Sequence, residues 1–142
     1  MKDLIVIGAG GYAKSVLDSV DHMNFRMIGF LDDIKDAGTL HLGYEIFGDS
    51  LDDIANASNY VYFVAIGNNT KRKLWFEKLK ERNLTLINVI DKSAIVSRNS
   101  TIGEGSFIDK LAIVNSGSSI GNNTVTNTRA LIEHGCIFGD HY

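Results

Sequence analysis

Three short stretches carry side chains whose types and spacing could do chemistry. GAGGYA (8–13) fits G-x-G-x-x-A, a pattern in which glycines let the backbone approach a phosphate at a helix N-terminus. FLDD (30–33) puts Asp32 at the tip of a β-branched and aromatic run, where a ribose-binding acid stands in dinucleotide sites. TNTRALIEHG (126–135) contains His134, whose ordinary pKa of ~6.5 leaves it largely neutral at pH 7 and able to accept a proton. Such a base suits acyl transfer, in which an attacking amine or hydroxyl loses a proton as the new bond forms. Backbone N–H groups are sufficient to hold the oxyanion of that reaction, so no metal is required.

These residues need elements to hold them. LIVIG (4–8) reads as a buried strand, and Ala13, Val16, Leu17 and Val20 form the apolar stripe of a following helix. RMIGFLDD (26–33), YVYFVAIGNN (60–69) and LTLINV (84–89) read as further strands. KRKLWFEKLKER (71–82) reads as a charged amphipathic helix capped by Asn69 or Thr70, its basic run a solvated face balanced by Glu77 and Glu81. Between them, YEIFG fits a short extra strand and LDDIANA a short helix. Alternating strands and helices imply a parallel sheet, a Rossmann-like α/β domain over residues 1–88. Gly8–Tyr12, Asp32–Asp33 and Gly67–Asn69 then share the C-terminal ends of adjacent strands and make one small crevice. About four good strands supply one mononucleotide half, so a nucleoside diphosphate fits better than a dinucleotide.

From residue 89 to 142 the period changes to six. Every sixth residue from Ile90 to Phe138 is apolar except Thr126, and the position two before each later member is always small, from Ala94 to Cys136. Residues two apart on a strand share a face, so each pair points inward and the Gly- and Asn-rich remainder forms corners. This is a hexapeptide parallel β-helix, with three repeats to a triangular coil and just under three coils. His134 lies two after Ile132 and two before Cys136, hence at a corner, where a histidine is more often inert. Cys136 occupies an inward slot and reads as packing.

The bulk composition excludes other classes. A net charge of -3 argues against a nucleic-acid surface, and no apolar run approaches the ~20 residues of a membrane span. A single cysteine permits no internal disulfide, which points to the cytoplasm. His22, His41, His134 and His141 make no metal-ligand spacing with Cys136 or with an acid. His141, in an unfinished repeat, is expected to be solvated.

The motifs IGAGGYAK, FLDD, FVAIGNN, INVIDKSAIVS and NTRALIEHG together resemble the bacterial sugar acyltransferases of the sialic acid O-acetyltransferase and UDP-4-amino-sugar N-acetyltransferase (NeuD/PglD) type. The resemblance spans the whole chain and implies a left-handed β-helix. It implies acetyl-CoA as donor and a sugar acceptor, nucleotide-activated (UDP- or CMP-type) or free, accepting on an amine or a hydroxyl. By position, Gly10, Gly11, Tyr12, Asp32, Asp33 and Gly67 inherit substrate binding, His134 inherits the role of base, and Asn127, Glu133 and Gly135 surround that base. A homotrimer with acetyl-CoA between neighbouring β-helices is also implied. Three features depart from the family: Tyr12 replaces a common histidine, Gly135 stands where an acid often follows the base, and the family's β-helix continues for several coils beyond GDHY. The residues present are therefore expected to bind nucleotide and acetylate poorly. Two other readings compete: a nucleotide-sugar-binding or trimerising module without catalysis, and an NAD-dependent oxidoreductase.

Overall fold

The computed structural model describes residues 1–142. The first part contains β1 (Lys2–Ile7), α1 (Gly11–Ser19), β2 (Phe25–Leu31), β3 (Leu40–His41), β4 (Tyr44–Gly48), β5 (Val61–Val64), α2 (Asn69–Glu81) and β6 (Thr85–Leu86). They form one six-stranded sheet in the order β3-β4-β2-β1-β5-β6, parallel except for the β3–β4 hairpin. The crossing connections place α1 and α2 on opposite faces. Alternation along β1 shows why: Leu4 and Val6 belong to one core, with Ala13 and Val16 of α1, and Ile5 and Ile7 to the other, with Phe76 and Leu79 of α2.

The structure corrects several sequence expectations. The sheet has six strands instead of about four, because YEIFG pairs with β2 and also turns back on Leu40–His41. LTLINV is divided between two domains: Thr85–Leu86 pair with β5, whereas Val89 pairs with Phe107. LDDIANA contributes only short 3-10 turns, at Leu51–Asp53 and Ala57–Asn59. The cap of α2 is Asn68, whose side-chain oxygen accepts from the Lys71 N–H at 2.9 Å, one residue earlier than expected.

Nine two-residue strands follow: β7 (Val89–Ile90), β8 (Ile95–Val96), β9 (Thr101–Ile102), β10 (Phe107–Ile108), β11 (Ile113–Val114), β12 (Ser119–Ile120), β13 (Val125–Thr126), β14 (Leu131–Ile132) and β15 (Ile137–Phe138). They stack as three parallel three-stranded sheets, β7-β10-β13, β8-β11-β14 and β9-β12-β15, the faces of a short left-handed β-helix. Ile108, Val114 and Ile120 in the middle coil are buried, whereas Ile90, in register with Ile108 at the first coil, is 39% exposed because no coil covers it. The small inward residues do more than save space. Ser106, Ser118 and Thr124 hydroxyls donate to the carbonyls of Gly121, Glu133 and Gly139 at 2.7–2.8 Å, satisfying corner groups that face the interior. Each corner from the first coil's end onward also has a left-handed residue at the same register: Gly105, Leu111, Gly117, Asn123, Arg129, Gly135 and His141.

One face of the β-helix docks on the α1 side of the sheet. Val89 and Phe107 point outward from their coils yet are 2% and 1% exposed. Phe107 meets Tyr12 and Phe63 edge-on, with centroids 5.8 and 6.2 Å away. The two corners flanking this face are tied by polar side chains. At one, the Ser19 hydroxyl donates to Asp91 at 2.6 Å, the Ser93 N–H and hydroxyl donate to the other carboxylate oxygen, and Lys110 lies 3.7 Å away. At the other, Arg72 of α2 reaches Asn123, and Lys80 pairs with Glu104.

Burial opposes ionisation of Asp91, but the hydrogen bonds from Ser19 and Ser93 and the Lys110 charge outweigh it and bring its pKa down to about 2. A lowered folded pKa stabilises above the unfolded value of 3.8, and that stabilisation is lost as pH falls through about 2. Asp91→Asn should therefore lower the thermal midpoint at pH 7 and flatten its dependence between about pH 4 and pH 2, as read by circular dichroism. An unchanged acid profile would remove Asp91 from the account of interdomain docking.

Candidate functional site

The C-terminal ends of β1, β2 and β5 open into a cavity of about 300 Å³, lined by Gly10, Gly11, Tyr12, Asp32, Asp33 and Gly67 together with Asn68, Lys71 and Trp75. All six residues assigned to substrate binding by sequence thus face one space. Its floor demands glycine at position 8. Gly8 has φ +103°, and a Cβ there would lie 2.5 Å from the Ala65 carbonyl oxygen of the neighbouring strand end. Gly10 and Gly11 have nothing within 4 Å of an added Cβ, so they leave the mouth of the cavity open without being required by the backbone. No side chain caps α1, and its first N–H groups face the same cavity.

Asp32 is more than an acid at the lip. Its Oδ1 accepts from the Ala9 N–H at 2.9 Å, and its Oδ2 from Ile34 and Lys35 N–H at 3.2 and 2.8 Å. It ties the glycine loop to the turn after β2. Burial of the carboxyl would raise its pKa, but the three N–H donors and nearby Lys35 hold it below the usual carboxylate value. Asp33 is exposed and its carboxylate lies 3.8 Å from the Lys71 ammonium, a solvated pair worth roughly 0–1 kcal/mol.

A second cavity of about 330 Å³ lies between the domains and shares Tyr12 and Gly67 with the first. Asn69, Arg72, Val125, Asn127 and Tyr142 complete it. The Tyr12 hydroxyl is buried here without a hydrogen-bond partner, and burial pushes the phenol well above its ordinary pKa despite the nearby Arg72 charge. Asn127 is exposed at the rim.

His134 stands elsewhere. It occupies the corner after β14, between the two faces that do not dock, so it is the vertex opposite the sheet domain. Its side chain is exposed, as are Glu133 and Gly135, and neither cavity includes it. Gly135 is left-handed, with φ +70° and open space around it. The competitor His141 is not solvated as expected. It is half-buried against the Phe76 ring at 5.2 Å and bonds Asn123 at 2.7 Å, and burial lowers its pKa.

Arg72 is the residue that sequence reasoning missed. The run KRKLWFEKLKER is not a uniformly solvated face: Arg72 is 3% exposed, Lys80 pairs with Glu104, and Arg82 pairs with Asp52. A signal was available, because residues 72, 76 and 79 share one helical stripe with Phe76 and Leu79 of the core.

Removing the Asp32 carboxylate should free the glycine loop. Asp32→Ala is expected to cost roughly 1–3 kcal/mol of stability in urea denaturation, as orphaned N–H donors do, and to weaken any crevice ligand. In the unaltered protein this anchor is present above the unfolded carboxylate pKa and is lost as pH falls through the lowered folded value. A variant with wild-type stability and affinity would show that the loop holds its shape unaided.

Residues 3–79, more than half of the chain, match the family described as PglD N-terminal domain. UDP-N-acetylbacillosamine N-acetyltransferase of Bacillus subtilis (strain 168) is 30% identical over 111 residues, which cover 75% of this chain and 50% of that protein. The acetyltransferase domain of PglB from Neisseria gonorrhoeae FA1090 superposes with a TM-score of 0.89 at 29% identity, covering 99% of this chain and 69% of that one. PerB from Caulobacter crescentus, solved with CoA and GDP-perosamine, gives 0.84 at 29%, covering 100% and 68%. The chain thus spans half the length of the Bacillus relative, and a fifth of the length of another, an uncharacterised protein of Acanthamoeba polyphaga mimivirus that is 33% identical over 104 residues. The crevice-forming part accounts for the family match, and the chain belongs to the PglD N-terminal domain family.

Proposed function

We propose that this protein acts in acetyl transfer from acetyl-CoA to an amine of a nucleotide-activated sugar, in the cytoplasm, with His134 as general base. The crevice carries this reading. Its volume of about 300 Å³ is at the low end for small-molecule sites and suits one nucleotide better than a dinucleotide, which disfavours the oxidoreductase reading. The relatives named as N-acetyltransferases and the complex of PerB with CoA and GDP-perosamine favour an amine acceptor and a CoA donor.

In the reaction the amine lone pair attacks the acetyl carbonyl carbon. His134 takes the proton that the nitrogen sheds, and the tetrahedral intermediate collapses by breaking the carbon–sulfur bond. The imidazolium then returns the proton to the departing thiolate, leaving the imidazole neutral. Backbone N–H groups suffice for the oxyanion.

The placement of His134 on the vertex away from its own crevice leads us to infer that it serves the crevice of a neighbouring copy. Ile95, Ile113 and Leu131 form an in-register outward ladder on the face beside that vertex, with Ile95 and Leu131 65% and 55% exposed. Such a stripe supports a homotrimer packed through its β-helices. The binding-module reading draws on the same observation, since His134 lies outside both cavities.

Complementation separates these readings. In the full-length enzyme, His134→Ala should lower thiol release from acetyl-CoA by roughly 10²–10⁴ while leaving sugar-nucleotide affinity unchanged. Gly10→Trp should block the crevice without backbone strain, since nothing lies within 4 Å of that position. Mixed assemblies of the two inactive variants should regain roughly a quarter of wild-type turnover, the statistical share of sites receiving both intact parts. Failure to recover in verified mixed assemblies would refute action between copies. Wild-type turnover by His134→Ala would leave the histidine a surface residue.

A further inference from the structure

Arg72 has an unusual set of partners. Its Nη1 donates to the carbonyls of Ile66 and Gly67 at 3.3 and 3.4 Å. Its Nη2 donates to those of His141 and Tyr142 at 3.3 and 3.5 Å, and its Nε to that of Asn123 at 3.4 Å. Five long bonds thus run to backbone oxygens, one of them at Tyr142, the last residue of the sequence, and no Asp or Glu side chain pairs with this buried guanidinium. A buried cation with no acidic side chain beside it is costly, and a methionine would fill the same stripe position with no such cost. Carbonyl oxygens offset part of that cost by turning their negative ends toward the charge.

That turning has a consequence for the crevice. A trans peptide is planar, so its C=O and N–H point in opposite directions. The Ile66 carbonyl shares a peptide with the Gly67 N–H, and the Gly67 carbonyl shares one with the Asn68 N–H. With both oxygens drawn to Arg72, both N–H groups are aimed away from it. Neither donates to any acceptor in the chain, and Gly67 and Asn68 both line the nucleotide-sized cavity. Two successive free N–H groups with a cation behind their carbonyls make an anion seat.

We propose that Arg72 is a positioning residue that orients the Gly67 and Asn68 N–H groups to receive a phosphoryl oxygen of a nucleoside diphosphate, and that it makes this seat depend on the docked β-helix. The proposal rests on the nucleotide reading of the crevice. Arg72 does not itself touch the ligand. It acts through two peptide groups, and its other three bonds, to Asn123, His141 and Tyr142, hold it in register with the second and third coils.

The test compares phosphorylated with unphosphorylated probes, by amide NMR titration of the unaltered protein and of Arg72→Met and Arg72→Lys. UDP and GDP are set against uridine and guanosine, with inorganic pyrophosphate as the minimal anion. Arg72→Met should weaken the diphosphates and pyrophosphate by roughly tenfold or more, since it removes a charge-assisted arrangement, and leave the nucleosides within about twofold. Arg72→Lys should fall between, because one ammonium cannot span carbonyls on both sides. In the unaltered protein the Gly67 and Asn68 amide protons should move downfield with pyrophosphate, a readout that survives even if Arg72→Met does not fold. Equal losses for nucleosides and diphosphates, undiminished diphosphate binding, or silent Gly67 and Asn68 amides beside responsive Gly10 and Gly11 would each overturn the proposal. If no nucleotide or nucleoside binds the unaltered protein, the nucleotide reading falls first and takes this one with it.

Discussion

The Phe107 ring stands on the outer face of a coil yet is 1% exposed, because it is pressed against Tyr12 of the glycine loop and Phe63 of β5. Burying an aromatic side chain of this kind is worth about 1.5–3 kcal/mol, with a further increment from edge-on aromatic contacts. That contact decides which of three equivalent β-helix faces is covered. Once it is made, the corners to either side must meet α1 and α2, and the remaining corner must point away. The interdomain cavity, the setting of Tyr12 and the isolation of His134 all follow from this one docking.

The two flanking corners solve the same problem in different ways. Asp91 is a buried carboxylate supplied with donors from Ser19 and Ser93 and a nearby ammonium, so its charge is welcome and its pKa falls. Arg72 is a buried cation supplied only with backbone oxygens at the long end of hydrogen-bond range, and burial lowers its pKa. The first arrangement chiefly secures docking. The second leaves positive potential at the boundary of the crevice and the interdomain cavity, where Gly67 belongs to both.

The β-helix brings its own constraint. A left-handed backbone recurs every six residues from Gly105 to His141, and Leu111, Asn123, Arg129 and His141 adopt it without being glycine. An L-residue there costs roughly 1–2 kcal/mol, so the corner geometry is imposed by the stacked strands more than by local preference. It also shows that Gly135 beside His134 is permitted rather than required by the fold.

Period was what the chain could announce in advance. Alternating apolar strands and helical stripes marked the sheet domain, the six-residue repeat marked the β-helix, and the glycine loop with Asp32 and Gly67 marked the crevice, because each is written in spacing along a few neighbouring residues. The partners of those residues were not so written. The pairing of Val89 with Phe107, the capture of Asp91 by Ser19 across 72 positions and the hold of Arg72 on His141 depend on chain segments brought together only when two domains dock. A charged residue in a charged run reads as solvated by its type, and for Arg72 that outweighed its place on the stripe of Phe76 and Leu79. Likewise, periodicity put His134 on a corner but could not say which corner. The three faces of a triangular coil are equivalent in local pattern, and only contact with a second body makes one of them different.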